Sequence, residues 1–133
     1  MTTNYYDTLI QIAEDSPIAV AEVPVAKNNK PTIASMQYDM VANNPYQFTS
    51  DDVIFGIYAK RNQIEPSQAE REKYFSKGQP CFRSSPLGKR YGWGVHSNSE
   101  GKIAIYPADS SEYIQLASDP TVKQLKAMRS KRA

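Results

Sequence analysis

The 133-residue chain holds one histidine, one cysteine and one tryptophan, and two of the three fall in the stretch RSSPLGKRYGWGVH at residues 83–96. Cys81 precedes that stretch by two positions. A thiol and an imidazole are the residue types of a nucleophile and its base, and Arg83 or His96 nearby could lower the pKa of Cys81 toward the reactive thiolate. A cysteine set between Pro80 and Phe82 also reads as a small buried hydrophobe. His96 acting alone as a general acid or base is therefore the better catalytic candidate. No metal site is expected, because one His and one Cys lack the partners and spacing that a four-ligand zinc site needs.

The same stretch is rich in cations and poor in side-chain bulk. If residues 90–106 form a hairpin, side chains alternate, so Tyr91, Trp93 and Val95 share one face while Arg90, Gly92, Gly94 and His96 share the other. Matching the apolar faces pairs Val95 with Ile103 and Trp93 with Ile105. That register sets Gly94 against Ala104, Gly92 against Tyr106 and His96 against Lys102. The result is a floor of glycine and alanine walled by Arg90, Tyr106, His96 and Lys102, where another backbone or a ligand can approach closely. A helix packed over the glycines would make it architecture. A ligand would be an anion, gripped by Arg90 and Lys102 together with Arg83 and Lys89 from the preceding loop. The spacing of a phosphate-binding loop is absent, and no cofactor is implied.

SPLGKRYGWGVH, with YYDTLIQIAEDSP near the start, NPYQFTSDDV in the middle, FSKGQPCFR and LKAMRSKRA, resembles a family of small, mostly bacterial proteins known only as a domain of unknown function. The resemblance covers nearly the whole chain. It implies a single-domain protein with a signature segment from Ser85 to His96, and it implies no activity and no residue roles.

Other elements must hold this hairpin. YYDTLIQIA alternates as a strand, and IAVAEVPV reads as a second strand or edge, with Pro24 favouring an edge. Pro31 opens a helix with Ile33, Met36, Met40 and Val41 on one stripe, ended by Asn43-Asn44-Pro45. Thr49 or Ser50 opens the next, with Asp51 and Asp52 at the positive end of its dipole and Val53, Ile54, Ile57 and Tyr58 inward. A third runs from about Pro66 to Phe75 with a solvated face of Glu70, Arg71, Glu72 and Lys73. After the hairpin come a short helix from about Asp109 to Ala117 and a last one opened by Asp119-Pro120, with Val122, Leu125 and Met128 as its stripe. Strands, helices, strands and helices in that order predict an α+β fold over residues 1–133, an antiparallel sheet with helices packed on one face.

Composition narrows the function classes. Residues 123–133 carry five cations and no acid, while the remaining 11 cations face 14 acids, so a weakly acidic body ends in a basic tail at about 129–133. That distribution, with Tyr91 and Trp93 facing inward, argues against nucleic acid as a partner. A single cysteine excludes an internal disulfide and suits a reducing compartment. The start, MTTNYYDT, lacks a signal-peptide pattern and no run reaches the ~18 apolar residues of a membrane span, so a cytoplasmic protein without a membrane partner is expected. Three readings follow: a non-enzymatic module that binds a small anion or acidic partner at residues 83–96; a small enzyme using His96 on a phosphorylated or carboxylate metabolite; and a structural protein in which the motif locks loop to sheet.

Overall fold

A computed structural model describes residues 1–17 and 20–129. The expected tail at 130–133 and two positions of the expected second strand lie outside the described residues. Four strands form one sheet in the order β3-β2-β1-β4: β1 (Thr8–Gln11), β2 (Trp93–Ser97), β3 (Ile103–Pro107) and β4 (Lys123–Lys126). The helices are α1 (Ile33–Ala42), α2 (Ser50–Arg61), α3 (Gln68–Phe75), α4 (Pro86–Lys89) and α5 (Ser111–Ala117). The fold is α+β, and the sheet is mostly antiparallel, with β4 running parallel to β1.

The helices begin where hydroxyl side chains can accept the first free N–H groups. Thr32 and Ser35 form a reciprocal cap on α1, and Thr49 and Asp52 form one on α2. Ser67, Ser85 and Ser110 cap α3, α4 and α5. Asp51 and Asp52 fill the first turn of α2 and Lys60 and Arg61 its last, both complementing the helix dipole. Asp51 also anchors the chain start, accepting hydrogen bonds from the Thr2 hydroxyl and from the N–H and hydroxyl of Thr3. Arg71 of α3 reaches Asp52 at 2.8 Å and ties α3 to α2, so the solvated face of α3 holds one tertiary contact.

Strand β1 has no free edge. It pairs with β2 on one side and β4 on the other, and sends Ile10 to one face and Leu9 to the opposite one. Ile10 joins Val41, Val53, Ile57, Phe82, Leu87, Val95, Ile103 and Ile105 in the main core under α1, α2 and α4. The other face carries Leu9, Gly94, His96, Ala104 and Tyr106, and α5 lies across it. Gly94 permits this packing: a Cβ there would stand 2.4 Å from the Tyr113 ring. The Tyr113 hydroxyl is itself held, accepting the Ile12 N–H at 3.1 Å.

Three expectations need correction. The segment after Asp119-Pro120 is a strand, not a helix. A turn closed by Asp119 delivers Lys123 N–H to Asp7 O, and the open edge of β1 captures the chain. Unpaired backbone groups at a buried strand outweigh a weak three-residue periodicity. The hairpin register is shifted by two, with His96 opposite Ala104, Val95 opposite Ile105 and Trp93 opposite Pro107. The Asn98 side chain accepts the N–H groups of Glu100 and Lys102 and tightens the loop, which lets Ser97 pair with Ile103. A shift of two preserves the faces, so Trp93 stays on the side of Ile103 and Ile105. There it is half-buried edge-on to Tyr38, with its indole N–H donating to Glu22 O. Lastly, the described part of IAVAEVPV forms no strand, and its Val20, Val23 and Val25 are exposed.

The Gly94 contact is directly testable. Gly94→Ala is expected to destabilise the fold by about 1–3 kcal/mol through overpacking, read by urea unfolding. In a Tyr113→Ala background the same substitution should cost much less. Equal costs in both backgrounds would mean that Tyr113 does not set the requirement for glycine.

Candidate functional site

The residues expected to surround an anion are divided by the sheet. Gly94, His96 and Lys102 share one face, whereas Arg83, Lys89 and Arg90 belong to the turn and short helix that insert Phe82 and Leu87 into the core behind the other. Arg90 falls outside β2. It ends α4, and the chain turns at Gly92, whose φ of 82° reverses its direction before the strand begins. Arg83 is spent on architecture, its Nε–H donating to Lys126 O and its carbonyl accepting Met128 N–H. Lys102 lies 3.7 Å from Glu100. The glycine floor is occupied by Tyr113.

Cys81 and His96 are likewise separated. The Cys81 sulfur lies 3.4 Å from the Tyr5 hydroxyl, on the core side. Burial and the hydrogen bond with Cys81 push Tyr5 up to about 12. His96 faces the α5 side, where its Nδ1 is 2.7 Å from the Tyr46 hydroxyl, itself 2.8 Å from the Tyr106 hydroxyl. Tyr46 reaches this position because residues 46–48 lie along the outer edge of β3, exchanging hydrogen bonds with Ile103. Its φ of 58° is a left-handed conformation that a bulky side chain rarely adopts. Burial holds the His96 imidazole below its ordinary pKa, opposed in part by Asp7 and Asp119. Burial also raises Tyr46, reinforced by Tyr106.

Two concavities accompany these groups. Beside the tyrosines is a recess of about 270 Å³ lined by Tyr46, Tyr106, Glu112, Gln115, Leu116 and Asp119. Its ionisable rim is acidic, which disfavours a phosphorylated substrate at His96. On the opposite side of the sheet is a groove of about 510 Å³ between α1, α2 and residues 80–86. Its apolar wall is Ile33, Ile54, Ile57, Tyr58, Tyr74 and two prolines; Gln37, Arg61, Cys81, Ser84 and Ser85 supply polar atoms. Of these, Gln37 is the most informative. It is 7% exposed, and its carbonyl oxygen accepts the Ser85 hydroxyl at 2.5 Å. Its amide nitrogen has no partner among the described residues and is left to the groove.

The sequence model of a family of unknown function, DUF6157, matches residues 1–133. The chain belongs to this family. No curated protein and no solved structure matches it. Residues 83–96 of this DUF6157 chain therefore divide their duties. Ser84, Ser85 and Pro86 line the groove, His96 adjoins the recess, and Gly88, Gly92 and Gly94 serve packing and turns.

Sequence reasoning missed Gln37, Arg61 and Tyr46. Gln37 sits among the apolar positions of α1 as a polar residue on a buried face, and that was a usable signal. Tyr46 carried none, since only the tertiary path along β3 gives it His96 as a partner. Among the described residues no three His, Cys, Asp or Glu side chains gather as a metal set, and no helix is long and apolar enough to cross a membrane.

The depressed His96 pKa gives a pH prediction. The unfolded chain takes up a proton near 6.5, where the folded chain still excludes it. Stability is therefore full above that pH and is lost as pH falls through the lower folded-state value. Thermal melting between pH 7.5 and 5 is expected to show this loss, and His96→Gln to flatten it. An unchanged slope in that variant would assign the effect to another group.

Proposed function

We propose that the protein is a non-enzymatic binding module that holds a small amphiphilic anion in the groove between α1, α2 and residues 80–86. The observation that carries this reading is the Gln37 amide nitrogen, an unspent donor on a side chain otherwise buried and fixed by Ser85. Arg61 supports it from the rim: it is exposed, and its guanidinium makes no hydrogen bond or ion pair with any described residue. An arginine can grip a carboxylate with two parallel hydrogen bonds. The isoleucine, tyrosine and proline wall then accepts an apolar body, and the groove volume lies within the ~300–1,000 Å³ common for small-ligand sites. The groove's nucleophile, Cys81, has the Tyr5 hydroxyl beside it, and no His, Asp or Glu of the described residues lines the groove with it, so the lining favours binding over turnover. A reducing, cytoplasmic setting belongs to the same proposal and rests on the lone cysteine.

A ligand that binds only the folded state raises stability by mass action, by about 2.7 kcal/mol at a hundred times its Kd. Thermal melting with 4-phenylbutyrate is expected to show a concentration-dependent rise in Tm. Arg61→Ala should leave the Tm without ligand nearly unchanged and remove most of the rise, and Ile54→Trp should abolish it by filling the groove. No rise in the wild type, or the same rise in Arg61→Ala, would overturn the proposal.

A further inference from the structure

On the opposite side of the sheet, we propose that the recess between β3 and α5 binds a small organic ammonium ion, and that His96 makes this binding proton-sensitive. The site is independent of the groove and has the opposite polarity. Two tyrosine rings form its wall, and an aromatic face attracts a cation. Glu112 and Asp119 supply two carboxylates, and Gln115 an amide carbonyl. No lysine or arginine is among its lining residues. Asp119 is held in place by the N–H and hydroxyl of Thr121, and those hydrogen bonds, with the nearby His96, keep its pKa below the ordinary carboxylate value. The left-handed backbone of Tyr46 is a local cost that the site maintains, and such conformations concentrate at functional positions.

The coupling follows from proton counting along His96, Tyr46 and Tyr106. Tyr46 has one hydroxyl proton and two close partners. With Nδ1 of His96 unprotonated, Tyr46 donates to it, and the Tyr106 hydroxyl must donate to Tyr46. Tyr106 then presents only lone pairs to the recess, as an ammonium N–H requires. Protonated His96 donates from Nδ1 to Tyr46, Tyr46 donates to Tyr106, and the Tyr106 O–H turns toward the recess. An ammonium ion then meets a donor in place of an acceptor, together with a new positive charge. Asp7 and Asp119 are the charged groups acting on His96, Leu9 and Ala104 flank it on the neighbouring strands, and the Tyr46 hydroxyl links it to Tyr106. Carboxylates ordinarily titrate near ~4, so a change between pH 7.5 and 5.5 belongs to the histidine.

The test is an NMR titration of the full chain with n-butylammonium chloride at pH 7.5, with sodium chloride and sodium butyrate at equal ionic strength as controls. Saturable shifts confined to Tyr46, Tyr106, His96 and α5 are expected from the amine alone. Affinity should be roughly tenfold weaker, the size of one lost hydrogen bond to a charged group, once the His96 ring is protonated, a state read from its own ring shifts as the pH is lowered from 7.5. Glu112→Gln with Asp119→Asn should abolish the shifts, and Tyr106→Phe, which keeps the ring, should weaken binding and flatten its pH dependence. Arg61→Ala should change nothing, which separates this site from the groove. Shifts matched by sodium chloride, binding that survives the paired carboxylate substitutions, or equal affinity with the His96 ring neutral and protonated would overturn the proposal.

Discussion

Strand β1 is a four-residue segment closed on both edges and both faces, and the rest of the molecule is arranged to close it. Buried N–H and C=O groups must find partners, and β1 finds them in β2 and in β4. Its side chains impose a second demand. Leu9 and Ile10 point to opposite faces with essentially no exposure, so each face requires its own cover. The helical layer with Phe82 and Leu87 covers one, and α5 covers the other. That second cover requires a tyrosine to lie flat where a side chain would otherwise stand, which is why the strand beside β1 contains Gly94.

The two concavities follow from the same arrangement. The groove lies where α1, α2 and the segment leading into α4 meet above the core. The recess lies on the other face, between Tyr106 of β3 and the α5 residues Glu112, Gln115 and Leu116. The charge of each follows from its elements. Arg61 stands at the end of α2, where a cation complements the helix dipole, and Glu112 stands in the first turn of α5, where an anion does. One sheet thereby separates a cation-rimmed groove from an acid-rimmed recess.

Much of this was readable from residues. Pro31, Thr49 or Ser50, and Asp109 mark helix starts through chemistry that is local to the chain, and these helices form close to where the sequence put them. The faces of the hairpin were readable too, because alternation survives a register shift of two. What escaped were features decided by distant partners. Val122, Leu125 and Met128 have helical spacing, and only the open edge of β1 makes their segment a strand. Arg83, Lys89 and Arg90 look continuous with His96 along the chain, and only the turn at Gly92 and the insertion of Leu87 send them to another side. The groove was not anticipated: Gln37 and Arg61 join Ser84 and Ser85 there only through the packing of α1 and α2.

The parallel pairing of β1 with β4 also bears on biosynthesis. Gln11 and Gln124, hydrogen-bonded side by side in these strands, are 113 positions apart. At about 5–20 residues per second, the ribosome needs roughly 6–23 s to make the chain between them. Through most of that interval both edges of β1 are unsatisfied, because β2 also follows it late in the chain, and such edges recruit other chains. The sheet is thus completed only by the last of its four strands in chain order, and the growing polypeptide depends on keeping β1 sequestered until that strand emerges.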